Sequence, residues 1–168
     1  VFAAVLMLAA GIRKTLVATG SAVNVLVARK AASGEISSII LNDTYNIMLS
    51  LPQVAKGSDA RPIASGDVVV IINLTKIGTE GGISNVTVRG VSPAAFQLRP
   101  QVKIVEGRMF NWGAREVVVG SSIARRFEGV QIGSMIKFGG DAWTVVGHSE
   151  AGGTAFDSEI WGDVAQLQ

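Results

Sequence analysis

The run Asp67-Val68-Val69-Val70-Ile71-Ile72-Asn73-Leu74 constrains this chain more than any other segment. Consecutive β-branched side chains lose rotamer freedom against the preceding turn of a helix but fit a pleated surface, so the run is a strand. Apolar side chains on both of its faces predict a central place in the sheet rather than an edge. A glycine-rich turn over residues 76–84 follows. Residues 85–91 then alternate Val86 and Val88 with polar neighbours, as an antiparallel partner would, and the pair reads as a long hairpin.

The same reasoning extends along the chain. Residues 24–28 crowd valine and leucine between turn residues and read as a buried strand. Ser37-Ser38 precede Ile40, Tyr45, Ile47, Met48 and Leu51, with Pro52 as a stop, which predicts a helix. Ser92-Pro93 opens a short helix through Phe96 and Leu98, closed by Pro100. Strands are predicted over 102–105, 116–119, 134–138 and 142–146, the last two joined by Gly139-Gly140-Asp141, and a helix over 121–127 with Ser121 as its cap. Phe156, Ile160, Val164 and Leu167 fall at helical spacing, and Thr154 with Asp157 suits a capping box, so residues 154–168 read as a terminal helix. The whole is α+β: mixed or antiparallel sheets with short helices, in two small subdomains whose seam is expected near residues 92–101.

Composition narrows the function classes. Fifteen basic residues stand against 13 acidic ones along the whole chain, so the pI near 9.2 reflects a small surplus rather than a basic face, and nucleic-acid binding is not suggested. Cysteine is absent, which removes disulfides, thiolate metal sites and a cysteine nucleophile. The chain is 48% hydrophobic with 17% charge and a mean hydropathy of +0.41, and part of that excess sits at one end. VFAAVLMLAAGI, residues 1–12, carries no charge and precedes Arg13-Lys14. As a helix it reaches about 18 Å against roughly 30 Å of hydrocarbon, and its basic pair lies on the wrong side for a signal peptide. Residues 1–12 are therefore expected to be part of a truncated membrane helix, or else a buried core helix.

No enzymatic motif is complete. Val117-Val118-Val119-Gly120-Ser121-Ser122-Ile123-Ala124 runs from strand through Gly-Ser into a helix like a nucleophile elbow, but Ala124 replaces the final glycine. A hydrolase built on Ser122 would need the lone His148, oriented by a carboxylate such as Asp141. His148 beside Glu150 lacks the further ligands of a zinc site. Asp157, Glu159 and Asp163 do not match a calcium loop and are read as capping and solvating the terminal helix. Gly78, Gly81 and Gly82 lead into neither a helix nor a Gly-Lys-Ser/Thr run, so no nucleotide cradle is formed. Neither cofactor nor metal is expected. Arg125-Arg126 reads as a solvated helix face; among Trp112, Trp143 and Trp161 the last, between Glu159 and Asp163, is the candidate for a partner surface.

Several phrases in order carry a resemblance: NVLVARKAASGEISS at residues 24–38, SGDVVVI at 65–71, NVTVRGVSPAAFQLRP at 85–100, VEGRMF at 105–110 and EVVVGSSIARRF at 116–127. They continue through VQIGSMIKFGGDAWTVVG and FDSEIWGDVAQLQ, covering nearly the whole chain. This resembles the periplasmic core domain of MacB-like and FtsX-like permeases driven by ATP-binding-cassette subunits. The resemblance implies a non-catalytic domain at the bacterial inner membrane, facing the periplasm and inserted after the first membrane helix. Residues 1–15 would then be the outer end of a truncated first transmembrane helix and residues 16–168 the core domain, with Arg13 and Lys14 outside, against the positive-inside bias. It implies an ATPase partner acting through the full-length permease, a permease homodimer or heterodimer, and a periplasmic adaptor or lipoprotein as further partner. Motion would pass through the N-terminal helix and the 156–167 helix, with Glu159, Trp161 and Asp163 as partner or coupling residues. A free-standing periplasmic module that holds a small ligand between its subdomains is the alternative.

Overall fold

A computed structural model describes residues 21, 23–79 and 81–168 of the chain. The apolar stretch 1–12 and Arg13-Lys14, expected at the end of a membrane helix, lie outside the described residues. Among the described residues there are seven strands: β1 (Val68–Thr75), β2 (Ile83–Val91), β3 (Lys103–Gly107), β4 (Glu116–Gly120), β5 (Met135–Phe138), β6 (Asp141–Glu150) and β7 (Glu159–Asp163). The helices are short: α1 (Asn42–Leu49), α2 (Ala94–Leu98), α3 (Ser121–Ala124) and α4 (Val164–Leu167). The α+β class with a mixed sheet and short helices is the one the sequence predicts.

All seven strands belong to one sheet in the order β1-β2-β7-β4-β6-β3, with β5 also paired to β6. β2 with β7 and β4 with β6 run parallel; the other pairs are antiparallel. Strands from either side of residues 92–101 pair across that segment, β2 with β7. Because side chains alternate along a strand, the sheet splits its apolar residues between two layers. Val117 and Val119 of β4, Ile160 of β7 and Trp143 and Val145 of β6 join Ile123, Phe127 and Ile136 in one. Val118, Trp161 and Val146 join Phe110, Phe156 and Ala95 in the other.

Two strand assignments exchange places relative to expectation. β1 is an edge strand rather than a central one. Its β-branched run is apolar on both faces, yet one face is only partly covered, and Ile71 is 48% exposed. The central strand is β7, within the segment that reads as a terminal helix. The Phe156, Ile160, Val164 spacing fits a helix, but the chain forms a 3₁₀ turn at Ala155–Ser158, the strand β7 and then α4. All five residues of β7 are buried, so no alternation marks it as a strand, and Phe156, Ile160 and Val164 fall on three different elements.

Smaller corrections follow the same physics. Residues 24–28 are not a strand: Val25, Leu26 and Val27 are exposed and no ladder includes them, while Asn24 Nδ2 donates to the Leu98 carbonyl at 2.7 Å. The first helix begins at Asn42, capped by Leu41 without a side-chain bond; Ser38 Oγ instead accepts from the Arg29 amide at 2.8 Å. The 121–127 helix stops at Ala124, and its cap is Gly120 rather than Ser121. Thr154 makes no side-chain capping bond. Where β5 meets β6, Gly139 and Gly140 have φ of 62° and 85°, the left-handed pair that a two-residue hairpin requires.

Candidate functional site

The most charged region of the interior surrounds Arg89, in the second half of β2, which is only 5% exposed. Arg89 lies opposite Val69 of β1 and Trp161 of β7, and its guanidinium turns along the sheet toward Glu159. Nε donates to Glu159 Oε2 and Nη2 to Glu159 Oε1, both at 2.8 Å, the two-pronged geometry that suits a planar guanidinium. Nη2 also donates to Glu35 Oε2 at 2.7 Å, and Nη1 reaches Asp67 Oδ2 at 3.3 Å. A second cation, Arg99, donates from Nη2 to the same Asp67 oxygen at 2.7 Å. Ser65 Oγ donates to the other Asp67 oxygen at 2.5 Å and lies 3.0 Å from Ser92 Oγ.

Burial alone would lower the Arg89 pKa. The hydrogen bonds that Arg89 donates to Glu159, and then the one it donates to Glu35, outweigh it and hold the guanidinium above its ordinary range. The cluster is thus two permanent cations among three carboxylates. Its parts come from five places in the chain: the 3₁₀ turn Glu35–Ser37, the approach to β1, the second half of β2, the end of α2 and the start of β7.

Glu159, Trp161 and Asp163 share one face of β7, because alternate residues of a strand point the same way. Helical placement would have spread them around an axis. Glu159 and Trp161 meet directly, since Trp161 Nε1 donates to Glu159 Oε2 at 2.9 Å. The Trp161 ring lies 5.4 Å from Phe96 and 5.6 Å from Phe156, edge to face, and the Arg99 guanidinium stands 5.6 Å from it. Asp163 works separately: Oδ1 accepts from the Ala165 amide at 2.9 Å to cap α4, and Oδ2 accepts from the Gly113 amide at 2.6 Å. Trp161 is 1% exposed, and all three residues are interior rather than solvating a helix. Asp157, expected on the same solvated helix, is buried as well and accepts from the Ala151 and Gly153 amides.

The other residues singled out by the sequence are occupied elsewhere. Both ring nitrogens of His148 face acceptors, Glu106 Oε2 at 2.9 Å and the Val130 carbonyl at 3.0 Å. Asp141 pairs with Arg115 at 3.2 Å, so His148 and Asp141 are each engaged with other partners rather than with one another. Among the described residues, no group of three or more His, Cys, Asp or Glu side chains is arranged to hold a metal, and no helix is long and apolar enough to cross a membrane.

Sequence reasoning did not single out Arg89, Arg99, Asp67 or Glu35. The available signal was an arginine in the polar alternation of NVTVRGV, which reads equally well as a solvated face.

Comparison with known proteins gives a consistent picture. The family model for the MacB-like periplasmic core domain matches residues 1–168. Among solved structures, the extracellular domain of the noncanonic ABC-type transporter YknZ from Gram-positive bacteria aligns with a TM-score of 0.52 at 16% identity, over 76% of this chain and 64% of that one. The periplasmic region of MacB from Actinobacillus actinomycetemcomitans aligns with a TM-score of 0.45 at 12% identity, over 61% of this chain and 48% of that one. The chain therefore spans less than two thirds of either structure. No curated protein matches.

Proposed function

The chain belongs to the MacB-like periplasmic core domain family, the extracytoplasmic domains of ABC-type transporter permeases, and from that premise we propose that it relays ATP-driven motion without breaking bonds of its own. Motion that starts at a cytoplasmic ATPase reaches such a domain through membrane helices. A relay then needs its point of entry tied to a stiff element. The observation that supports this reading is the Arg89 cluster, in which one buried guanidinium joins Glu35, on the N-terminal side of the sheet, to Glu159 on the central strand.

In this reading Glu159, Trp161 and Asp163 are coupling residues that work from inside. Glu159 carries load between β2 and β7, Trp161 packs that carboxylate against Phe96 and Phe156, and Asp163 ties α4 to the loop before β4. The domain acts at the bacterial inner membrane, facing the periplasm, in a permease homodimer or heterodimer. A periplasmic adaptor or lipoprotein is the outer partner.

Absence of cysteine allows a clean test. Gln131→Cys, in a full-length permease and ATPase from which any cysteines beyond these 168 residues have been removed, takes a single spin label at an exposed position. The separation of the labels in the dimer should change when ATP binds, and Glu159→Gln should shrink that change. A wild-type separation indifferent to ATP would refute the relay.

A further inference from the structure

Residues 23–41 turn a surface of the wrong polarity toward water. Not one of them is buried, and Val25, Leu26, Val27, Ile36 and Ile39 are each more than half exposed. Polar groups of the segment face inward instead. Asn24 Nδ2 donates to the Leu98 carbonyl at 2.7 Å, and Glu35 Oε2 accepts from Arg89 Nη2 at 2.7 Å. Those two bonds tie the segment to the end of α2 and to β2, so its apolar residues do not belong to a free tail. A run of exposed apolar side chains on a held segment marks a contact surface.

A pocket opens within the same segment. Arg29, Lys30, Ala31, Ala32, Ser33 and Ser37 line a cavity of about 300 Å³, roughly the volume of ten waters. The Ala32 amide donates to the Arg29 carbonyl at 3.0 Å, with Ala31 at a φ of 68°, and the Arg29 amide donates to Ser38 Oγ at 2.8 Å. The chain thus folds back and sets two cations beside two serines. Val27 and Ile39 stand within two residues of the Arg29–Ser38 bond and so flank the pocket. Ser37 Oγ donates to the Gly34 carbonyl at 3.0 Å and lies 3.3 Å from Ser33 Oγ, which leaves the Ser33 proton as the one that can turn to a ligand. No carboxylate lines the cavity. Glu35, the only acid in residues 23–41, is engaged with Arg89, whereas neither Arg29 nor Lys30 pairs with an acid among the described residues.

We infer that residues 23–41 rest on the outer surface of the membrane, with the phosphate of an anionic phospholipid in the Arg29–Lys30 pocket and Val25, Leu26, Val27 and Ile39 at the edge of the hydrocarbon. Two cations and a hydroxyl complement a phosphate, and the apolar side chains beside them complement the acyl layer beneath it. A lipid surface presents both layers at once. A second copy of the chain fits less well: a two-fold contact would set Arg29 and Lys30 against their own like charges, with no acid of the segment left to separate them. A soluble anion would fill the pocket and cover no apolar residue. Ten residues separate Val23 from the uncharged run 1–12, and that length of extended chain reaches at most about 36 Å, so entry into the bilayer there, as expected from the sequence, keeps the segment near lipid. The inference rests on the family's place in a membrane permease and not on the relay through Arg89.

The test uses the full-length permease, freed of any cysteines beyond these 168 residues, in nanodiscs of phosphatidylethanolamine and phosphatidylglycerol without ATP. A fluorophore on Val25→Cys or on Ile39→Cys should be quenched by nitroxides carried on the lipid headgroups and shielded from a water-soluble quencher. Replacing phosphatidylglycerol by phosphatidylcholine should cut the lipid quenching severalfold, and so should Arg29→Gln combined with Lys30→Gln. Arg29→Lys with Lys30→Arg, which keeps both charges, should retain most of it. The lipid exchange makes the same charge test on the unaltered pocket if the glutamine variant does not fold. A label open to the water-soluble quencher, or lipid quenching indifferent to both charge changes, overturns the inference. So does a label shielded from water yet not quenched from the lipid, which assigns the face to a second copy or another protein. Inorganic phosphate that shields the label equally in the 168-residue chain without lipid assigns the pocket to a soluble anion and overturns it as well.

Discussion

Arg89 and Glu159 form a diagonal pair: in the β2–β7 register Arg89 faces Trp161 and Glu159 faces Thr87, yet the guanidinium crosses two residues along the strand to bind both carboxylate oxygens at 2.8 Å. The diagonal leaves Trp161 stacked beside the pair with its N–H on the same carboxylate. Cutting one member strands the others in the interior. Glu159→Gln is expected to cost roughly 3–5 kcal/mol in urea unfolding, because the remaining charges keep their desolvation penalty. Replacing Arg89 and Glu159 together by methionine should cost less than the sum of the two single changes. Strict additivity would show that the two residues do not act as a unit.

Two tryptophans differ in one atom's fate. Trp143 is stacked on Phe138 at 5.0 Å and its buried Nε1 has no hydrogen-bond partner among the described residues, whereas the Trp161 Nε1 donates to Glu159. Each change to phenylalanine removes similar volume, so the difference isolates the hydrogen bond to a charged acceptor. Trp161→Phe should be the more destabilising by about 1.5–3 kcal/mol in chemical denaturation.

At the surface end of β4, Glu116 is held at a pKa of about 2, first by hydrogen bonds from Arg108, against the opposing effect of desolvation, and then by the Asn111 amide. The folded value lies below the ordinary 4.5, so the stabilisation is present above that ordinary value and is lost as pH falls toward 2. Arg108→Ala should therefore lower the thermal midpoint at neutral pH and flatten its decline between those two values. An unchanged acid limb in the variant would remove Glu116 from the account.

Gly120 is a contact rather than a hinge. A Cβ placed there would stand 2.4 Å from the Asp157 carbonyl oxygen and 2.8 Å from that of Glu159, both backbone atoms that cannot turn aside. Gly120→Ala should destabilise by about 1–3 kcal/mol, as overpacking does. Gly34, with extended backbone and nothing within 4 Å of an added Cβ, is the control, and Gly34→Ala should stay within about 0.5 kcal/mol in thermal unfolding.

The hairpin β1–β2, the short helix after Ser92-Pro93 and the β5–β6 turn at Gly139-Gly140 were legible because each announces itself within a few residues. β-branched runs, proline and paired glycines act locally. β7 was not legible, because a five-residue strand buried on both faces has no period to detect, and Phe156 and Leu167 on either side completed a helical pattern by coincidence. Its residues Glu159, Trp161 and Asp163 could be picked out as unusual neighbours, but not as one face of a strand. The Arg89 cluster was hidden for another reason: it draws on Glu35, Asp67, Arg99 and Glu159, whose separations in sequence no local signal records. The prolines at 93 and 100 suggested a seam, and the strands on either side of them pair in one sheet.

Because β7 fits between β2 and β4 although it follows both in sequence, the architecture imposes an order of events during synthesis. As the nascent polypeptide leaves the ribosome, the β1–β2 hairpin and the strands gathered on β6 can form early, linked only where residues 75–77 bond to 126–128 and with no strand between β2 and β4. Until residues 159–163 emerge, Arg89 has no Glu159 to meet and no strand joins β2 to β4. The final act of folding is the insertion of a keystone, and a translational pause before it would leave two open β edges waiting.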